Sequence, residues 1–595
     1  MTNPTLWKLR AAVACLFVAP LTALAHGTPQ PIPVIGEAEC TALANLTQFP
    51  EYPTRLTLTQ WVTTGVANGV ALPQHCRVQG IAQERTGSGA RNIPYGIKFE
   101  VRLPAEWNGR FMFQGSGGTQ GNLPNATGNA GTASPTLAKG FVVAAENGGH
   151  DNATLTASGP IIAGNMFYDD PQAVKDWAYN SVEVTTRTAK FLIGQLYERK
   201  PKYSYFVGCS TSGRQGMAMS QMFPKHFDGI VAGDPFFVPP MISMSETWAV
   251  QQVRSVSPID PVSGAPIYHQ SYSVADRDLF TRALLESCDK LDGLEDGVID
   301  NRAACKFDPA KFRFAATGKA LQCTGAKEAD CLSGPQVTAI KNMARGPRTS
   351  WGAKVYAPDG TLVTGYPYDG GWMEPSGIPA RNIGTPTSPP GNLSLGTAQL
   401  TLFWFKTPDP TANPVDFDWD RDMPLVVKRS PAVNNDTNIS EFRRQGGKII
   451  WYHGLSDSGP PYTYTAEYFD QVAKRSPRDG KDFMRLYLVP NMGHCSGGPS
   501  TDRFDFLTPM MEWVENGKAP GNVVATGTAF KTAPTTRSRP LCAYPQVARY
   551  SGPAGGDISL AENYRCVPGP RYTDDDRGHH HHDHDRDDDR GRGRD

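Results

Sequence analysis

The sequence predicts an α/β fold, a mainly parallel sheet flanked by helices and interrupted by one large insertion. Three observations predict it. Short apolar runs ending in small residues recur along the chain, and several lead into helical patterns. Between about 240 and 440 that alternation stops and Gly, Pro and aromatic residues take over. A chain of 595 residues is also too long for a single core.

In chain order, "RFMFQG" (110–115) and "GFVVAAENGG" (140–149) read as buried strands ending in glycine. The stretch 170–199 reads as one amphipathic helix, with Asp169 or Asp170 near its cap and Pro171 in its first turn. "YSYFVGCS" is a strand, "SGRQGMAMSQMF" a helix, and "FDGIVAGDP" (227–235) another strand. Two further strand-and-loop units follow at 446–457 and 482–495. The division expected is therefore a first part of the main domain at 26–239, an inserted lid at 240–440, and a second part at 441–571.

The two ends read differently. Lys8 and Arg10, the apolar "AAVACLFVAPLTALA" and Ala23-Leu24-Ala25 make residues 1–25 a signal peptide, so a secreted or periplasmic protein is expected, without a membrane anchor after cleavage. Cys15 lacks a lipobox. Residues 572–595 are a His/Asp/Arg-rich tail expected to be disordered, with at most weak affinity for divalent metal.

Composition narrows the class. Sixty Gly and fifty Pro argue for a loop-rich enzyme or binding protein. The net charge is zero, and nine Asp against five Arg in the last 22 residues leave the rest near +4, too little for a nucleic-acid partner. Oligomeric state is not legible. Ten cysteines follow the signal, an even number that suggests five disulfides in an exported chain, though count alone does not fix connectivity. Proximity in sequence pairs Cys40 with Cys76, Cys288 with Cys305, Cys323 with Cys331 and Cys542 with Cys566, leaving Cys209 and Cys495 for each other.

That last pair flanks the candidate chemistry. A serine hydroxyl attacks only when a base takes its proton, and the base needs a third group to hold its tautomer. In an α/β-hydrolase fold the serine sits on a tight strand-to-helix turn, with the acid and then the histidine later in the chain. "GCSTSG" (208–213) supplies such a turn, with Ser210 after Gly208. Ser212 stands where the usual pattern has glycine. Asp457 follows one predicted strand and His494 the next; of the seven histidines outside the tail, only His494 lies beyond Asp457. His453 precedes the acid and is expected to support it.

The Cys-Ser, Asp, His-Cys arrangement resembles the tannase and feruloyl esterase family of α/β-hydrolases, which includes the mono(2-hydroxyethyl) terephthalate hydrolases. The resemblance runs from about Cys40 to Cys566. It implies Ser210 as nucleophile, His494 as base, Asp457 as its partner, and the Cys209–Cys495 bond. Two backbone donors are needed for the oxyanion; Thr211 is one by position, and Gly117 or Gly118 of "QGSGGTQG" is the second.

"CDKLDGLEDGVIDNRAAC" (288–305) alternates carboxylates and carbonyls as hard cations require. Asp289, Asp292 and Asp296 with the carbonyls of Leu294 and Val298 are the candidate ligands, and the resemblance implies a structural Ca²⁺ in the lid. No organic cofactor is expected. Trp372, Phe403, Trp404 and Phe405 are candidates to stack on a flat acyl group, lid core being the alternative. A terephthalate half-ester calls for an Arg in the pocket, and "GTAQLTLFWF" has none. The expectation is a secreted serine esterase acting on feruloyl, hydroxycinnamoyl or galloyl esters. The alternatives are a terephthalate half-ester hydrolase, or a non-catalytic polyphenol- or carbohydrate-binding protein on a hydrolase scaffold.

Overall fold

The computed structural model describes residues 31–571, apart from 90, 129–133, 158, 160, 237–238, 359, 369–378, 428–435 and 570. The signal-peptide and tail assignments, and Trp372, lie outside the described residues.

Nine strands form the main sheet: β1 (Thr54–Val62), β2 (His75–Thr86), β3 (Pro94–Pro104), β4 (Arg110–Gln114), β5 (Val142–Glu146), β6 (Tyr203–Cys209), β7 (Gly229–Gly233), β8 (Lys448–Gly454) and β9 (Met484–Val489). Their order is β1-β2-β3-β5-β4-β6-β7-β8-β9. From β5 to β9 every neighbour is parallel; β1, β2 and β3 add an antiparallel end. The six strands expected from sequence all form, each trimmed by a few residues. The antiparallel end was not anticipated.

Successive residues of a strand point to opposite faces, and both faces of this sheet are covered. Phe111 and Phe113 of β4 pack with Phe206, Ile230, Ile449 and Trp451 on one side. Met112 packs with Tyr205, Val231, Ile450 and Tyr487 on the other. The long helix expected at 170–199 begins at Pro171, where the buried Asp170 accepts from Ala173 N–H and pairs with Arg85. A π-helical turn at Asp176–Asn180 interrupts it before α1 (Ser181–Tyr197). In that turn the carbonyls of Trp177 and Ala178 accept from the buried Arg214, whose guanidinium lies 4.4 Å from the Trp177 ring centroid. Arg214 belongs to α2 (Thr211–Met222), so this wider turn anchors the helix that follows the serine.

Among the described residues the chain between β7 and β8 adds no strand to the sheet. It carries α3 (Pro239–Ser255), α4 (Val274–Cys288), α5 (Gly334–Arg345) and α6 (Ala398–Phe403). Part of it builds its own core from Val253, Phe280, Leu284, Val337 and Ile340. All five expected disulfides are present: 40–76, 209–495, 288–305, 323–331 and 542–566. Because β6, β8 and β9 run parallel, their C-terminal ends lie on one edge of the sheet, where ligands of open α/β sheets bind. Ser210, Asp457 and His494 follow those three ends.

Candidate active site

Ser210 sits at φ +62° and ψ −121°, a conformation that non-glycine residues avoid. The surrounding backbone holds it there. Ser210 N–H donates to Gly233 O at 2.9 Å, and its carbonyl accepts from Phe236 N–H at 3.0 Å and Arg214 N–H at 3.1 Å. The turn also needs close approach. A Cβ on Gly208 would lie 2.6 Å from Ser212 Cβ, and one on Gly213 would lie 2.3 Å from Gly233 O.

Ser212, the departure from the usual glycine, has a defined position. Its Oγ accepts from Ser116 N–H at 2.8 Å and donates to the Ser116 carbonyl, tying the elbow to the glycine-rich loop after β4. Gly115 accommodates it, since a Cβ there would lie 2.3 Å from Ser212 Cβ. Thr211 Oγ1 donates to Gly118 O at 2.6 Å, a second tie between the same segments. Among the described residues the amides of Gly117, Gly118 and Thr211 have no acceptor.

On the other side, His494 Nδ1 lies 2.7 Å from Asp457 Oδ2. Asp457 is buried, and its other oxygen accepts from Gly459 N–H at 2.7 Å. Burial works against the charge on Asp457, yet the His494 and His453 rings hold its pKa well below the carboxylate range. Burial pushes His494 below the usual imidazole value, against the pull of Asp457 and with help from Arg381. A neutral ring at pH 7 is what a general base needs. His453 supports the acid, as expected: it bonds Thr465 Oγ1 at 2.8 Å and Pro460 O at 2.9 Å, with Nε2 3.3 Å from Asp457 Oδ2. Cys209–Cys495 joins the neighbours of Ser210 and His494, with Cα atoms 6.0 Å apart.

A cavity of about 320 Å³ opens onto these groups. Ser210, Thr211, Gly117, Gly118 and His494 line it, with Phe236, Leu395 and Pro460 as apolar wall and Glu246, Arg381 and Gln399 as further polar wall. The described aromatic candidates of the insert, Phe403, Trp404 and Phe405, are not among the residues lining the cavity. Phe403, Trp404 and Phe405 are buried in the core, Phe403 against Phe167 and Trp177, Phe405 against Phe417, and Trp404 with its ring N–H on Ser243 Oγ. Helix α6 buries all six of its residues; Gln399 reaches the cavity wall, while Phe403 packs the insert against Phe167 and Trp177 of the main domain. Sequence reasoning missed Glu246 and Arg381. Each is a lone charge among uncharged neighbours in the sequence, and only the fold brings them into the cavity with Ser210.

Among the described residues, Asp234, Asp457 and His494 bring ligand-type atoms within 4.8 Å of one another, close enough to share an ion, as do Cys209, Asp234 and Cys495. The two sulfurs are spent in the disulfide, and Asp457 is bonded to His494. In the 288–305 loop, Asp289, Asp292, Asp296 and Asp300 are all buried. Asp296 turns to Arg537 (3.1 Å) and Arg539, while Asp289 and Asp292 accept from Gly297 and Asp300 amides. Asp289 Oδ1 is buried without a partner. Burial pushes the Asp289 and Asp292 carboxyls up, to about 6 and about 7.

The sheet order, the strained serine between strand and helix, and the Asp–His pair beyond the next strands define an α/β-hydrolase. The sequence pattern described as "Tannase and feruloyl esterase" matches residues 76–567. A mono(2-hydroxyethyl) terephthalate hydrolase of Piscinibacter sakaiensis is 40% identical over 91% of this chain and 93% of its own length. A probable feruloyl esterase of Arthroderma benhamiae is 30% identical over 78% and 81%. The crystal structure of an esterase from Aspergillus oryzae superposes with a TM-score of 0.69 at 25% identity, covering 89% of this chain and 99% of that one. The chain belongs to the tannase and feruloyl esterase family, and it is a carboxylic ester hydrolase. The expectation of a non-catalytic binding protein is not retained.

Proposed function

We propose that the protein cleaves esters of hydroxylated aromatic acids, feruloyl or galloyl in kind, through an acyl-enzyme on Ser210. One observation carries the reading: a single cavity is lined by Ser210, His494 and the Gly117–Gly118 loop, with His494 held by Asp457 at 2.7 Å. His494 Nε2 takes the Ser210 proton as Oγ attacks the ester carbonyl. The oxyanion takes hydrogen bonds from Thr211 N–H and from Gly117 or Gly118. As the tetrahedral intermediate collapses, His494 gives the proton to the departing alcohol. Water then repeats the cycle, releasing the acid and restoring Ser210. Acid release from methyl ferulate and methyl gallate by wild type and Ser210→Ala tests this reading.

A second reading, hydrolysis of terephthalate half-esters, draws support from Arg381. Its guanidinium is suited to a substrate carboxylate and lies in the cavity wall, outside the segment where the sequence lacked an Arg. The relative from Piscinibacter sakaiensis is named for such a substrate. Mono(2-hydroxyethyl) terephthalate added to the same assay separates the two.

We infer that the 288–305 loop holds a Ca²⁺ ion. Asp289, Asp292 and Asp296 with the Leu294 and Val298 carbonyls would hold it. The unpartnered Asp289 Oδ1, and the burial of four carboxylates in one loop, support that assignment. The ion would brace the insert against the C-terminal strands, away from the chemistry. The leader at 1–25 and the five disulfides support export, and segment 240–440 supplies the lid over the cavity.

A further inference from the structure

Glu246, on α3, is a buried carboxyl in the wall of the catalytic cavity that the hydrolysis steps do not use. It is 2% exposed, and its Oε2 has no hydrogen-bond partner. A buried polar group left unpaired costs about 1–3 kcal/mol, more if charged, so an unfilled carboxyl beside a nucleophile points to a ligand. The fold also makes room for it. Gly396 lies opposite, and a Cβ there would come within 1.5 Å of Oε2.

We propose that Glu246 is a specificity-determining residue that hydrogen-bonds a ring hydroxyl of the substrate's aromatic acyl group. This rests on the aromatic-ester reading above. Leu395 adjoins Gly396, so the carboxyl lies at the margin of the apolar wall formed by Leu395, Phe236 and Pro460, against which a flat ring would pack. The charged and titratable groups around it are Arg381, Asp457 and Tyr366. The Tyr366 hydroxyl is committed to Gly459 O at 2.6 Å. Burial pushes Glu246 up to about 8, with Arg381 pulling the other way and Asp457 adding to the rise. Both protonation states are therefore populated near neutral pH. A hydroxyl both donates and accepts, so it matches either state, whereas a substrate carboxylate matches only the acid form.

The test is the ratio of kcat/KM for methyl ferulate over methyl cinnamate, which lacks ring hydroxyls. One hydrogen bond from a ring hydroxyl to this carboxyl should favour ferulate by about 10- to 10²-fold. Glu246→Leu should bring the ratio to within about threefold of unity, and Gly396→Ala should lower it by displacing the carboxyl. Glu246→Gln, which still hydrogen-bonds, should keep most of it. A purely structural role would lower both esters together and leave the ratio unmoved, which would overturn the proposal. So would a wild type without preference, or one that favours a terephthalate half-ester through Arg381. Ser210-dependent hydrolysis of 4-nitrophenyl acetate, which has no acyl ring, shows separately whether the esterase mechanism stands. Should Glu246→Leu fail to fold, Gly396→Ala and Glu246→Gln decide the question.

Discussion

Cys209 and Cys495 are bonded to each other across 286 residues of sequence, and each adjoins one of the two residues that exchange a proton in the proposed mechanism. Ser210 follows the first on the β6 elbow, and His494 precedes the second on the loop after β9. The bond therefore fixes the distance between the two loops. The double variant Cys209→Ser, Cys495→Ser should lose about 2–5 kcal/mol of stability. Loosened positioning should also cost about 10²-fold in kcat. Thermal unfolding and steady-state kinetics, measured where the variant is still folded, check both.

The base sets the acid limb of the pH profile. Burial lowers the His494 pKa below its usual 6.5, and the ring works only when neutral. The kcat/KM should be level at pH 7 and fall with acidification through a midpoint below 6.5. Arg381 contributes to that lowering, so Arg381→Ala should move the midpoint upward. The profile on 4-nitrophenyl acetate measures both positions.

Ser212 ties the elbow to the glycine-rich loop through its two bonds to Ser116. Ser212→Ala removes both bonds to Ser116 and should cost about 1–3 kcal/mol. It should also loosen the Gly117–Gly118 loop, with a fall in kcat that exceeds any rise in KM. Kinetics on methyl ferulate with parallel melting curves test it.

Much of this was legible in the sequence for physical reasons. The six predicted strands are continuous apolar runs because parallel strands are buried on both faces, and the proposed triad residues follow strand ends because β6, β8 and β9 are parallel. The antiparallel β1, β2 and β3 were missed: half-buried strands such as Thr54–Val62 carry alternating polar residues and resemble loops. "LTLFWF" left both readings open, ligand stacking and lid core, because an aromatic run has the same composition whether it faces a ligand or, as Phe403 and Trp404 do, a core. Glu246 and Arg381 carried no local signal at all, since their neighbours in space lie on distant segments.

Calcium should act on stability. Titrating Ca²⁺ into metal-free protein should raise Tm, by about 2.7 kcal/mol of stabilisation at a hundredfold excess over Kd. Asp289→Asn should abolish that rise. The turnover of chelated, still-folded enzyme should change little, because the loop's residues are not in the cavity wall.

The central claim is that Ser210, not Ser212, is the nucleophile. Reaction with a fluorophosphonate, followed by mass spectrometry of the peptide containing both serines, tests it most directly. The account predicts one adduct, on Ser210, with labelling and ester hydrolysis both lost in Ser210→Ala, kcat falling by about 10⁴-fold or more. An adduct on Ser212, or full hydrolysis by Ser210→Ala, would contradict it.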